Sequence, residues 1–143
     1  MPHGYTSESS STIAGSAAAV WEALTNPDLA REYFWGAQVA TTWEEGSPIT
    51  FQGEFKGTRY LEKGTILEFT PERTLRYTHW SDLEGIPDVP ENYRTWTFQL
   101  HGQGDSVRLS VSEENIPTEP QKLRSGEFWR EVLTTIKRIV EPT

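Results

Sequence analysis

No cysteine occurs among the 143 residues, which excludes disulfides, thiolate metal sites and cysteine nucleophiles and makes a reducing cytoplasm the expected setting. Long apolar runs are missing too: no stretch is long enough to cross a bilayer as a helix, and Met1 to Ser16 lacks the basic start and apolar middle of a secretory signal. No membrane partner is expected. Positive charge is scarce, with 13 Lys and Arg against 21 Asp and Glu and a formal charge of −8. The basic residues do not gather: residues 1–72 hold 4 basic and 10 acidic groups, and residues 73–143 hold 9 and 11. Such a chain repels phosphate backbones, so nucleic acid is not an expected partner. There is no Gly-x-Ser-x-Gly, no phosphate-cradling glycine loop and no dinucleotide fingerprint. The three histidines are scattered, so neither a metal site nor a cofactor is implied.

What the chain does have is a change of hydrophobic period. From about Ala37 to Ser112 apolar residues mostly alternate, as in Trp96, Phe98 and Leu100 or Val107, Leu109 and Val111, the pattern of half-buried strands. After Pro120 they recur at three and four. Leu123, Trp129, Val132, Leu133, Ile136, Ile139 and Val140 are read as the stripe of one long helix, which the strands must cover. Thr118 with Gln121 three residues on has capping-box spacing and marks the start of that helix. Gly126 inside it is expected either to pack closely on the sheet or to bend the helix and open room for a ligand.

Tyr5 to Ile13 is read as a first edge strand. Ser16 precedes an alanine-rich segment with Val20 and Leu24 on one face, and Asn26-Pro27 stops that helix and starts another. Two short helices follow, near 17–25 and 27–33. Six strands fit between residues 37 and 115, with turns at Glu45-Gly46, Lys56-Gly57, Thr70-Pro71-Glu72 and Gly102 to Asp105. Asp82 to Glu91, with Gly85, Pro87, Pro90 and four acids, is a loop of the kind that serves as a lid or partner site. One α+β domain over 1–143 is the consistent parse.

Several motifs in that parse resemble the START-like SRPBCC superfamily, and within it the branch related to the activator of heat-shock chaperone ATPase. They are Val20-Trp-Glu-Ala-Leu-Thr-Asn-Pro27, Trp43-Glu-Glu-Gly46, Gly64 to Pro71, Leu75-Arg-Tyr-Thr-His-Trp80 and Gly126-Glu-Phe-Trp129. The resemblance covers nearly the whole chain. It implies a helix-grip fold, START-like or Bet v-like: a curved antiparallel sheet of six or seven strands around the long C-terminal helix, with the two short helices plugging one end of a cavity. Lipid carriers, hormone-binding proteins, cyclases and chaperone activators share that architecture, so fold alone does not choose among them.

Six Trp, five Tyr and six Phe are a large aromatic load, able to fill a core or to line a cavity for a flat apolar ligand. Strand parity turns Trp96, Phe98 and Leu100 inward, with Leu67 and Phe69 on another strand and Phe51 and Phe55 on a third, and Trp129 and Leu133 answer from the helix. If Leu75 faces inward then Tyr77 and His79 do as well, and these two are the catalytic candidates, His79 first because an imidazole titrates near neutrality. Glu54 and Glu68 can face either side. The adjacent pairs Glu44-Glu45 and Glu113-Glu114 are expected to be solvated strand ends.

Three functions follow as expectations: a binding protein for an apolar or aromatic small molecule, held between sheet and helix; an interaction protein of the chaperone-activator or stress-associated kind, working through the 82–91 loop; and a cyclase-type enzyme using His79 or Tyr77.

Overall fold

A computed structural model of the chain describes residues 4–141. Strand β1 (Tyr5–Ala14) leads into helices α1 (Ala17–Thr25) and α2 (Pro27–Tyr33). Six strands follow: β2 (Gln38–Thr41), β3 (Pro48–Phe55), β4 (Thr58–Thr70), β5 (Thr74–Ser81), β6 (Arg94–Gln103) and β7 (Ser106–Ile116). Helix α3 (Glu119–Val140) closes the order. All neighbouring strands are antiparallel, in the order β1-β7-β6-β5-β4-β3-β2, and α3 packs across this sheet, chiefly against β1 and β7. This is the helix-grip arrangement. Among the described residues no helix is long and apolar enough to cross a membrane.

The local signals act as their chemistry demands. Ser16 Oγ accepts from the Ala19 amide at 3.1 Å and Asn26 Oδ1 from the Asp28 amide at 2.9 Å, so each short helix has its cap and Pro27 sits at the start of α2, where its missing N–H costs nothing. Thr118 Oγ1 accepts from the Gln121 amide at 3.3 Å, but its hydroxyl also donates to Gln121 Oε1 at 2.8 Å, so the glutamine side chain is spent on the threonine rather than on its backbone. Asp82 to Glu91 contains two short 3-10 turns, Asp82–Glu84 and Pro90–Asn92, and is tied down: Trp80 Nε1 and Asn92 Nδ2 both donate to the Pro87 carbonyl, and Asp88 meets Lys63 and Tyr93.

One stripe of α3 enters the core: Ser125, Trp129, Val132, Leu133 and Ile136 are buried, and Ile139 and Val140 are partly so. Burying each large apolar side chain is worth about 1.5–3 kcal/mol. Leu123 corrects the expected stripe. It lies six residues before Trp129, about 240° round the helix, and is 65% exposed. Gly126 corrects the first reading given to it, because a Cβ there would meet nothing nearer than the flexible end of Arg130 at 3.6 Å.

Leu67 and Phe69 do not share a face. The β4–β5 register slips between Ile66, opposite Tyr77, and Glu68, opposite Arg76. Leu67 is the extra residue of this bulge and stands 45% exposed, while Ile66 and Phe69, three apart, both face the core. Close by, a Cβ on Gly64 would lie 1.6 Å from the Thr78 carbonyl oxygen, so the backbones of β4 and β5 touch where only glycine fits.

Candidate functional site

Parity on β5 carries Leu75, Tyr77 and His79 into the interior, as expected, and all three are buried. The His79 ring stacks on Trp96 at 3.8 Å between centroids and 16° between planes, with the edge of Phe51 at 5.3 Å. Its Nε2 lies 3.1 Å from Glu62 Oε1. Glu62 is opposite Phe51 on β3, so it shares the inner face. A neutral ring that donates from Nε2 to this carboxylate keeps Nδ1 as an acceptor.

Above this pair lies an open-mouthed cavity of about 540 Å³, within the range of small-molecule sites. Phe34, Ala37 and the exposed Trp35 wall it after α2, Phe51 and Phe55 on β3, and Gln121, Arg124 and Phe128 on the first half of α3. Trp35 has φ +49°, a left-handed conformation uncommon for a bulky residue, and rests 5.2 Å from Phe128 at the mouth. The floor is aromatic. Phe34 packs on Phe51 and Trp96, and Trp96 meets Trp129 edge to face at 4.7 Å. Trp96 Nε1 is buried with no acceptor among the described residues.

The polar end of the cavity is built around Glu113, and here expectation is overturned. Glu113 is 5% exposed rather than a solvated strand end. Its Oε2 accepts from Arg94 Nη1 at 2.8 Å, and its Oε1 accepts from Ser125 Oγ at 2.5 Å and Trp129 Nε1 at 3.0 Å. Ser7 on β1 donates in turn to Ser125 at 2.5 Å, and Arg94 reaches Glu84 at 3.1 Å. Burial alone pushes the Glu113 carboxyl up, but the hydrogen bonds from Ser125 and Trp129 and the charge and hydrogen bond of Arg94 outweigh it and hold the group below its ordinary 4.5. The group is an anion at neutral pH. It joins β1, β6, β7 and α3 at one point.

An antiparallel sheet with two short helices after its first strand and one long C-terminal helix is an architecture shared with known proteins. The family model of the activator of Hsp90 ATPase homolog 1-like proteins matches residues 14–141. The chain belongs to this family. The solution structure of ChR145 from Cytophaga hutchinsonii is 37% identical to it, covering 96% of this chain and 94% of that one with a TM-score of 0.84. The Aha1 dimer from Colwellia psychrerythraea is 17% identical over 96% of each chain (TM-score 0.75), and CalU16 from Micromonospora echinospora 18% over 99% of this chain and 87% of that one (TM-score 0.72). These last two show the fold alone. No curated protein matches the chain.

Within this Aha1-like fold the expected ligand residues separate. Phe51, Phe55, His79 and Trp96 line the cavity. Phe55 does so from the rim, 55% exposed, at the last residue of β3 before the turn into β4. Tyr77, Phe98, Leu100, Trp129 and Leu133 are core and do not border the cavity, Phe69 packs between Trp21 and Trp43, and Leu67 is outside. Burial, then the nearby Tyr33 and Glu62, push the Tyr77 phenol well above its usual value, so it stays protonated and is a poor proton donor or acceptor. On α3 the cavity is lined from Gln121 to Glu131, while Val132, Leu133 and Ile136 pack into the core. Glu54 is exposed and Glu68 bonds Thr70, so neither enters the cavity. His3 lies outside the described residues. Sequence reasoning missed Glu62, Arg94 and Glu113. For Glu113 a signal was present: it continues the inward series Val107, Leu109, Val111 by one more step of two.

Proposed function

We propose that this chain is a binding protein that holds a small, flat, apolar-bodied molecule in the cavity between α3, the segment after α2 and strands β3 to β6. The carrying observation is the 540 Å³ of open space floored by Phe51 and Trp96 and walled by Phe34 and Phe128. Aromatic faces supply dispersion and stacking without fixing one ligand shape, and Glu62 and His79 offer polar groups at one end to orient it. Native mass spectrometry of the purified protein, with a thermal-shift screen of aromatic and alicyclic compounds, tests this. A ligand at about 100 times its Kd stabilises by roughly 2.7 kcal/mol, and its binding should quench tryptophan fluorescence because Trp96 and Trp35 border the space. Replacing Ser81 by Trp should obstruct the cavity and reduce the shift. A screen in which nothing raises Tm would refute the reading.

A second reading rests on Leu83 and Val89, exposed apolar residues on the otherwise acidic 82–91 loop, which suit a protein partner in a family named for chaperone ATPase activation. It predicts stimulation of a chaperone ATPase that Leu83→Ser with Val89→Ser removes. Absence of stimulation by the unaltered protein would sink it.

A further inference from the structure

The cavity has a sign. Four glutamates line it, Glu62, Glu84, Glu113 and Glu131, against two arginines, Arg94 and Arg124, a formal −2 with His79 neutral. Arg94 is already held between Glu113 at 2.8 Å and Glu84 at 3.1 Å, so its guanidinium is not free to receive an incoming carboxylate. Arg124 and Glu131 are both exposed at the mouth, where solvent screens them alike, so the sign is set by the more buried Glu62 and Glu113 against Arg94. The whole chain, at −8, adds a field of the same sign. Aromatic faces beside these carboxylates attract positive charge as well, through the ring quadrupole.

Resting on the small-molecule reading above, we propose that the cavity takes an organic cation: a protonated or quaternary amine on a flat apolar body. The ammonium lies beside Glu62 and the faces of Phe128 and Trp35, and the flat body covers Phe51 and Trp96. Fatty acids and other carboxylates are disfavoured by the same charges.

Calorimetric titration with three methoxynaphthalenes that differ in one substituent, trimethylammoniomethyl, methyl or carboxymethyl, tests this. The ammonium compound should bind at least about tenfold more tightly than the carboxylate, with the uncharged one between them, and added salt should narrow the gap. Glu62→Gln should reduce the preference several-fold, and Glu131→Gln, at an exposed and screened position, should reduce it less. Equal or tighter binding of the carboxylate overturns the charge inference and leaves the small-molecule reading standing. Failure of all three probes to bind overturns both.

Discussion

Removing the Glu113 carboxylate is the most informative single perturbation. In Glu113→Ala the buried Arg94 guanidinium keeps only Glu84, whose side chain is 35% exposed, and Trp129 Nε1 loses its acceptor at 3.0 Å. Ser125 can fall back on Ser7. Breaking a buried ion pair from one side costs about 3–5 kcal/mol, because a charge is left without compensation in a poor solvent for it. At about 3 °C per kcal/mol for a domain of this size, Tm should fall by roughly 10–15 °C. Glu113→Gln keeps an acceptor for Ser125 and Trp129 but turns an amide toward Arg94, and should lose about half as much. The decisive companion is Arg94→Met with Glu113→Leu, which removes both charges and should recover most of the loss, keeping only the roughly 1–3 kcal/mol of the unpaired Trp129 Nε1. Urea unfolding followed by tryptophan fluorescence measures all three. A loss below about 1 kcal/mol for Glu113→Ala would mean that the carboxylate is effectively hydrated, and the picture of a buried junction would fail.

The same group sets a pH dependence. Its folded pKa is depressed, so its contribution is complete above the unfolded carboxyl's pKa of about 4.3 and disappears as pH falls through the lower folded value; the stability gap between wild type and Glu113→Gln should be constant near neutrality and shrink below about pH 4. A gap that widens with acid would contradict this sign. Gly64→Ala should unfold the protein or cost more than about 4 kcal/mol, since its Cβ would meet the Thr78 carbonyl at 1.6 Å, whereas Gly102→Ala, with nothing within 4 Å, should stay within about 0.5 kcal/mol. Equal effects at the two positions would be the refuting result in denaturant titration. Leu123→Ser should change stability by less than about 0.5 kcal/mol and Ile136→Ala should cost about 2–5 kcal/mol, which separates the true stripe of α3 from the expected one.

Much of the fold was legible. Both short helices, the capped start of α3 and the six strands after α2 follow from signals confined to a few residues: a side-chain oxygen placed to meet an orphan amide, a proline that stops one helix and starts the next, an alternation that turns every second residue inward. The inward positions of Tyr77 and His79 came from the same alternation. It failed at Leu67, because a bulge shifts the count by one and nothing local to Ile66-Leu67-Glu68 announces it. At Glu113 the alternation was right and the inference from charge was wrong: a glutamate at a strand end looks solvated until Arg94, Ser125 and Trp129, from two other elements, are seen to converge on it.

The chain alone therefore determined its elements, their order and which face of most strands is apolar, since period, caps and turns act over a turn of helix or a pair of strands. It could not say how deep each inward residue lies. Tertiary structure decided that Phe98, Leu100, Trp129 and Leu133 are solid core while Phe51, His79 and Trp96 border open space, and that Glu62, Arg94 and Glu113 give that space its charge. Parity reports direction from the backbone, but a cavity exists only where the covering helix stands away from the sheet, and that spacing is set by residues far apart in the chain.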